Sequence, residues 1–119
     1  MTLTADGNAA IGLTGDLMAT GTAGQTVTYT LEITNDGDIT DTFDLALGAS
    51  DWTAALSAST TGPLAPGASI TIEVYVTVGA GSSDAVDLTV TSQFDPSTST
   101  TVTMETSTYL VYLPVIVKP

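Results

Sequence analysis

A chain of 119 residues has room for one ordinary domain built on one core. Hydrophobic residues make up 43% and charged residues 12%, which excludes a disordered chain, since those are poor in apolar groups and rich in charge. Thirteen acids face a single base, Lys118, for a formal net charge of −12, so no nucleic acid or anionic membrane surface is expected as a partner: both are held by neutralising phosphates with Lys and Arg.

The polarity that remains comes mostly from Thr, Ser, Asn and Gly, and Thr suits the half-exposed surface of a pleated sheet. Cysteine is absent, and no run of ~18–20 apolar residues is present to cross a membrane as a helix. The start of the chain does not read as a signal peptide, so an exported protein is expected here as a mature chain or an excised fragment.

Along the chain, residues 1–20 are the least regular. Ala10-Ile11-Gly12-Leu13 and Leu17-Met18 read as short edge strands, broken by Gly15 and Gly21. From Thr26 to Asn35 the alternation is strict: Val27, Tyr29, Leu31 and Ile33 point one way, and Thr28, Thr30, Glu32 and Thr34 the other. Period two over ten residues predicts a strand with one buried face. Asn35-Asp36-Gly37-Asp38 is a turn cluster. Thr40–Leu47 alternates again with Phe43, Leu45 and Leu47 inward, and Trp52–Ser57 places Trp52, Ala54 and Leu56 on one face. Thr61-Gly62-Pro63 and Ala65-Pro66-Gly67 read as breakers around Leu64. Ile70, Ile72, Val74, Val76 and Val78 mark the clearest strand, Val86, Leu88 and Val90 the next, and Val102 and Met104 the last of the alternating ones.

No helical period persists. Short strands parted by turns every ~8–12 residues predict an all-β, immunoglobulin-like antiparallel sandwich of about seven strands over residues 21–107. Glu32, Glu73 and Glu105 fall on outward positions, which is ordinary sheet architecture.

The run Ala23-Gly24-Gln25-Thr26-Val27-Thr28-Tyr29-Thr30-Leu31-Glu32-Ile33-Thr34-Asn35-Asp36-Gly37-Asp38 resembles the signature of bacterial Ig-like surface domains. Asp41-Thr42-Phe43, Asp51-Trp52 and Leu64-Ala65-Pro66-Gly67-Ala68-Ser69 extend the likeness. Together they are similar to the Ig-like domains attached to bacterial alpha-galactosidases and to the cell-adhesion-related domains of bacterial surface proteins. The resemblance covers roughly Gly21 to Thr106. It implies an extracellular location and a spacer, adhesive or accessory role. The ending Tyr109-Leu110-Val111-Tyr112-Leu113-Pro114-Val115-Ile116-Val117-Lys118 is similar to the YLP-aliphatic tails of exported proteins from some filamentous bacteria, which again implies export.

That tail, residues 108–119, breaks the alternation rule. Tyr109, Leu110, Val111, Tyr112, Leu113, Val115, Ile116 and Val117 are apolar on both faces of an extended strand, so both faces need cover. Nine residues are too few to span a bilayer as a helix, and Pro114 fits an edge or a bulge. Burying the aliphatic members is worth roughly 1.5–3 kcal/mol each as an upper estimate. Left bare they would form an aggregation-prone edge. Three destinations fit: a groove on a neighbouring subunit, as a joining strand that builds a head-to-tail filament; the chain's own sandwich, as a final strand; or an export or anchoring machine.

Catalysis is not expected. A triad needs a base, and there is no His or Cys; zinc lacks its usual ligands for the same reason. The Glu residues lie on separate strands rather than as a facing pair. A Lys–Asn isopeptide crosslink has only Lys118 to draw on. Calcium is the one metal the acids suggest: Asp36, Asp38, Asp41 and Asp44 crowd one connection, with Asp36, Asp38 and Asp41 the best ligand set. The alternative is a polar turn in which these side chains satisfy backbone groups.

Two functions are expected on these grounds: a surface filament or adhesive subunit joined through its apolar tail to copies of itself or a neighbouring surface protein, or an accessory module, spacing or polysaccharide-binding, of a larger exported hydrolase or adhesin.

Overall fold

The computed structural model describes residues 8–108. Nine strands form two sheets: β1 (Ile11–Leu13), β2 (Leu17–Gly21), β3 (Thr26–Asn35), β4 (Asp41–Leu47), β5 (Thr53–Leu56), β6 (Thr60–Leu64), β7 (Ser69–Thr77), β8 (Ser83–Ser92) and β9 (Ser99–Thr108). One sheet has the order β1-β3-β7-β5 and the other β2-β9-β8-β4-β6. Every pairing is antiparallel except that of β2 with β9. The all-β sandwich expected from the alternation is what forms, and among the described residues no helix is long and apolar enough to cross a membrane.

Of the strands predicted from period two, β3, β4, β5 and β7 reappear within a residue of their expected bounds and β8 and β9 run longer than expected, because alternation fixes which face meets the core rather than where a strand ends. Tyr29, Leu31 and Ile33 of β3 meet Phe43, Leu45, Val74, Leu88, Val90, Val102 and Met104 in one buried cluster. Trp52 joins it with 6% exposure, as its phase with Ala54 and Leu56 predicts. The two sheets are also tied by a hydrogen bond through the core. The Tyr29 hydroxyl donates to the carbonyl of Glu105 at 3.0 Å and shares a 2.7 Å bond with the Thr106 hydroxyl.

Two elements differ from the sequence expectation. Thr61-Gly62-Pro63, read as a breaker, lies within an edge strand, Thr60–Leu64: Pro63 lies opposite Thr42 of β4, and the register shifts between Thr42 and Asp44. Proline is tolerated there because the outer side of an edge strand has no partner to receive an N–H. The N-terminal segment supplies an edge strand to each sheet, since the chain crosses at Thr14-Gly15-Asp16 from β1 beside β3 to β2 beside β9.

These directions define two poles. Asn8, the β3–β4 turn and the β8–β9 turn share one, and Gly21–Gln25, Gly79–Ser82 and Thr108 share the other.

Candidate functional site

The acids suggested for calcium are divided between two jobs. Asp36 and Asp38 hold the incoming chain: Asp36 N–H donates to the Ala10 carbonyl at 3.0 Å, Asp38 N–H to that of Asn8 at 3.1 Å, and the Asp38 carboxylate accepts the Asn8 N–H at 2.6 Å. Asp41 faces the other way and is buried. Its carboxylate accepts the N–H of Thr42 at 2.7 Å, the N–H of Phe94 at 3.1 Å and the Ser92 hydroxyl. The Ser92 oxygen in turn accepts the N–H of Asp95 at 2.9 Å. Asp36, Asp38 and Asp41 are therefore not brought together as one ligand set. Among the described residues, no group of three or more acidic side chains is placed to hold a metal ion. Asp41 carries a sequence signal: it shares the parity of Phe43, Leu45 and Leu47, the inward one.

Asn35 anchors the same pole. Fully buried, it donates through Nδ2 to the carbonyls of Ile39 and Leu64, both at 2.8 Å, and accepts the Gly37 N–H at 2.9 Å on Oδ1. Its backbone completes the joint, with Asn35 N–H bonded to Ala68 O and Gly67 N–H to Asn35 O. Gly67 adopts φ +83°, a conformation that favours glycine. The Asn35-x-Gly37 and Pro66-Gly67 motifs are thus two halves of one structural lock between β3, β4, β6 and β7.

On the outer face of the first sheet, the Tyr75 hydroxyl donates to Glu73 Oε1 at 2.5 Å, and this bond to a carboxylate pushes the phenol pKa above its ordinary value. In the β8–β9 turn, hydrogen bonds from Ser97 and Thr98 hold the Asp95 carboxyl below its ordinary value. Among the described residues, two large apolar side chains stand out in solvent, Met18 and Phe94.

One flank of the sandwich is less finished than the rest. Because β1 leaves β3 after Leu13, it pairs only with Ile33–Asn35. Odd-numbered residues of β3 bond to β7, as Asn35 N–H to Ala68 O and Val78 N–H to Gln25 O show at either end. Even-numbered ones face β1, where Thr14 N–H reaches Glu32 O and the Thr14 hydroxyl takes the Glu32 N–H. Beyond Glu32, among the described residues, nothing pairs with the outward backbone groups of Thr26, Thr28 and Thr30. Beside them Val27, Leu17 and Ala19 pack against the core yet stay only partly buried.

The tail residues Tyr109, Leu110, Val111, Tyr112, Leu113, Val115, Ile116 and Val117 lie outside the described residues. Their point of departure is described. Thr108 closes β9 opposite Gly21 of β2, with its N–H on Ser82 O at 2.8 Å. β9 has neighbours on both sides, so this end of the chain leaves from an interior strand.

Similar folds occur among solved structures. The PapD-like domain 7 of human CEP192 superposes with a TM-score of 0.66 at 13% identity, covering 86% of this chain and 87% of that one. Part of the secreted serine protease VesC of Vibrio cholerae gives 0.60 at 21% identity, over 84% of this chain and 23% of that one. A FixG-related protein of Vibrio parahaemolyticus gives 0.57 at 13% identity, over 86% and 97%. These likenesses establish the fold alone. No curated protein sequence matches. Residues 21–95, well over half of the chain and including β3, the Asn35 lock, Asp41 and Trp52, match the family described as the NPCBM-associated, NEW3 domain of alpha-galactosidase, and the chain belongs to that family.

Proposed function

We propose that the chain is a non-catalytic accessory module of an exported protein, a β-sandwich that holds apart the segments attached to its two ends. The observation that carries this reading is the placement of those ends. Asn8 sits at one pole and Thr108 at the other, separated by roughly the length of β3, whose ten residues rise ~3.3 Å each. A sandwich threaded from pole to pole adds its long dimension to any chain that contains it. Membership in a family named for its association with alpha-galactosidase supports the accessory part of the reading and, with it, an extracellular setting. The non-catalytic part rests on chemistry: the buried Asn35, Asp41, Ser92 and Thr106 are engaged with one another or with backbone groups, which leaves none of them poised for a substrate.

Small-angle scattering on a chain carrying the sandwich twice in series tests the spacer. The maximum dimension should grow by about 30–40 Å for the added copy. A nearly unchanged dimension would mean side-by-side packing and sink the idea. Release of chromophore from aryl glycosides above the buffer rate would overturn the non-catalytic part.

A second reading, head-to-tail assembly through the apolar tail, is supported by the two-faced apolar sequence Tyr109–Val117 together with the unpaired stretch of β3.

A further inference from the structure

We propose that the open half-edge of β3, at Thr26, Thr28 and Thr30, is the acceptor for the apolar tail of a second copy of this chain, which adds to the sheet as a strand beside β3. This rests on the assembly reading and deepens it by assigning the acceptor, which the sequence leaves open.

The other edges argue for this one by contrast. Sheet edges invite pairing and are usually guarded by proline, charge, irregularity or shortness. β6 carries Pro63, a left-handed Gly62 at φ +73° and a register shift. β5 is four residues long. On β9, in the stretch that β2 does not reach, the Asp16 carboxylate takes the Thr103 N–H at 2.9 Å, which leaves a shorter outward run, Ser99 and Thr101, than the three residues of β3. β2 is five residues long and comes directly after Asp16. β3 has none of these devices between Thr26 and Thr30. Its register with β7 runs without a shift from Thr26 to Thr34, and its exposed side chains there are threonines.

The chemistry of the slot fits an apolar strand. Three even-numbered residues offer an N–H and a C=O each, a ladder for about six residues of a partner. Alternate side chains of that partner would fall on the flank where Val27, Leu17 and Ala19 are only partly buried. Within this chain, the segment long enough and apolar enough is Tyr109–Val117.

A second copy is the better donor on topological grounds. Thr108 ends β9 at the pole where Gly21–Gln25 carries the chain from β2 to β3. To reach β3 of its own sandwich, the tail would have to cross that connection at the same end, and crossed connections are rare. From a neighbour no crossing is needed. Donor and acceptor are different surfaces, so the contact is head to tail and propagates.

Two full-length variants test it, with wild type as reference, by light scattering coupled to size exclusion. Thr28→Pro removes one outward N–H while sparing the β7 ladder, since even-numbered residues do not bond to β7. Leu113→Asp puts a charge into the tail. Wild type should assemble with rising concentration, and each variant should require at least about tenfold higher concentration to do so. Mixed one to one, the variants should form a complex of twice the monomer mass and no larger, because one copy supplies an intact tail and the other an intact edge. Circular dichroism on each variant checks that the sheet is retained. If Thr28→Pro unfolds, Thr30→Pro replaces it on the same side of the strand.

Assembly of Thr28→Pro or Thr30→Pro at wild-type concentrations would overturn the acceptor while leaving tail-mediated assembly standing. Mixed variants that stay monomeric would likewise overturn it. Wild type that stays monomeric at all concentrations would overturn the acceptor and the assembly reading together, without touching the spacer.

Discussion

Asn35 shows how much one side chain can hold. Its amide, itself closed to water, joins three backbone groups, two in the half-buried β3–β4 turn and one at the buried end of β6. Asn35→Ala leaves two carbonyls and one N–H without partners, and each such group costs about 1–3 kcal/mol when buried. A loss of roughly 3 kcal/mol or more in urea unfolding is expected, against less than about 0.5 kcal/mol for a solvent-facing control such as Thr30→Ser. Tyr75 makes a second residue-scale prediction. Glu73 accepts its hydroxyl proton and, as an anion, opposes the phenolate, so the folded pKa lies above 10.0. The stabilisation linked to this proton is present below pH 10.0 and is lost as the pH rises through the folded value. The difference in high-pH absorbance between the protein and Tyr75→Phe should show this phenol titrating above 10.0, and Glu73→Gln should lower its midpoint.

The elements illustrate where periodicity speaks and where it does not. β3, β7 and β8 are long, strictly alternating strands, and their faces are legible because a one-residue slip would turn the whole apolar set to water. β6 is not legible. Thr60–Leu64 carries glycine and proline, local breakers by propensity, and becomes a strand only because β4 offers it an edge. Asp41 reads as part of a charged turn for a related reason: its partners, Ser92 at the end of β8 and Phe94 in the turn after it, lie some fifty residues away. The Gly79 connection gives the prediction at this scale. A Cβ there would stand 2.7 Å from Cδ1 of Trp52, whose indole is fixed by its bond to Ala80 O at 2.8 Å. Gly79→Ala should therefore tilt the indole and cost about 1–3 kcal/mol. Trp52 is the only tryptophan, so a red shift of its fluorescence reports the tilt directly. An unchanged spectrum and melting curve would mean that the loop moves instead.

For the molecule as a whole, the charge is carried by the outer faces and the turns, with Asp41 the one buried acid among the described residues. Mutual repulsion discourages non-specific association at neutral pH. Thirteen acids are opposed by Lys118 alone, and this composition puts the isoelectric point at about 4.1. A solubility minimum near pH 4 is expected, with turbidity measured across pH 3–8, because association is favoured as net charge approaches zero. The same acidity leaves strand addition, made by main-chain bonds and apolar side chains, as the contact best suited to join copies.

Period two and residue inventory are enough to set the class of fold, the inward face of each long strand and the burial of Trp52. They also show the lack of a histidine or cysteine with which to build a nucleophile or a zinc site. These are local patterns or sums over the chain, and they need no coordinates. Strand pairing decides the rest among the described residues: that Asp41 ties β4 to the end of β8 and the turn after it, that Thr61-Gly62-Pro63 falls within β6, and that β1 and β2 part company so that half of β3 has no neighbour on its outer side. Each of those depends on which strand lies beside which. That pairing brings together residues 16 to 87 positions apart, and no local pattern in the chain encodes it.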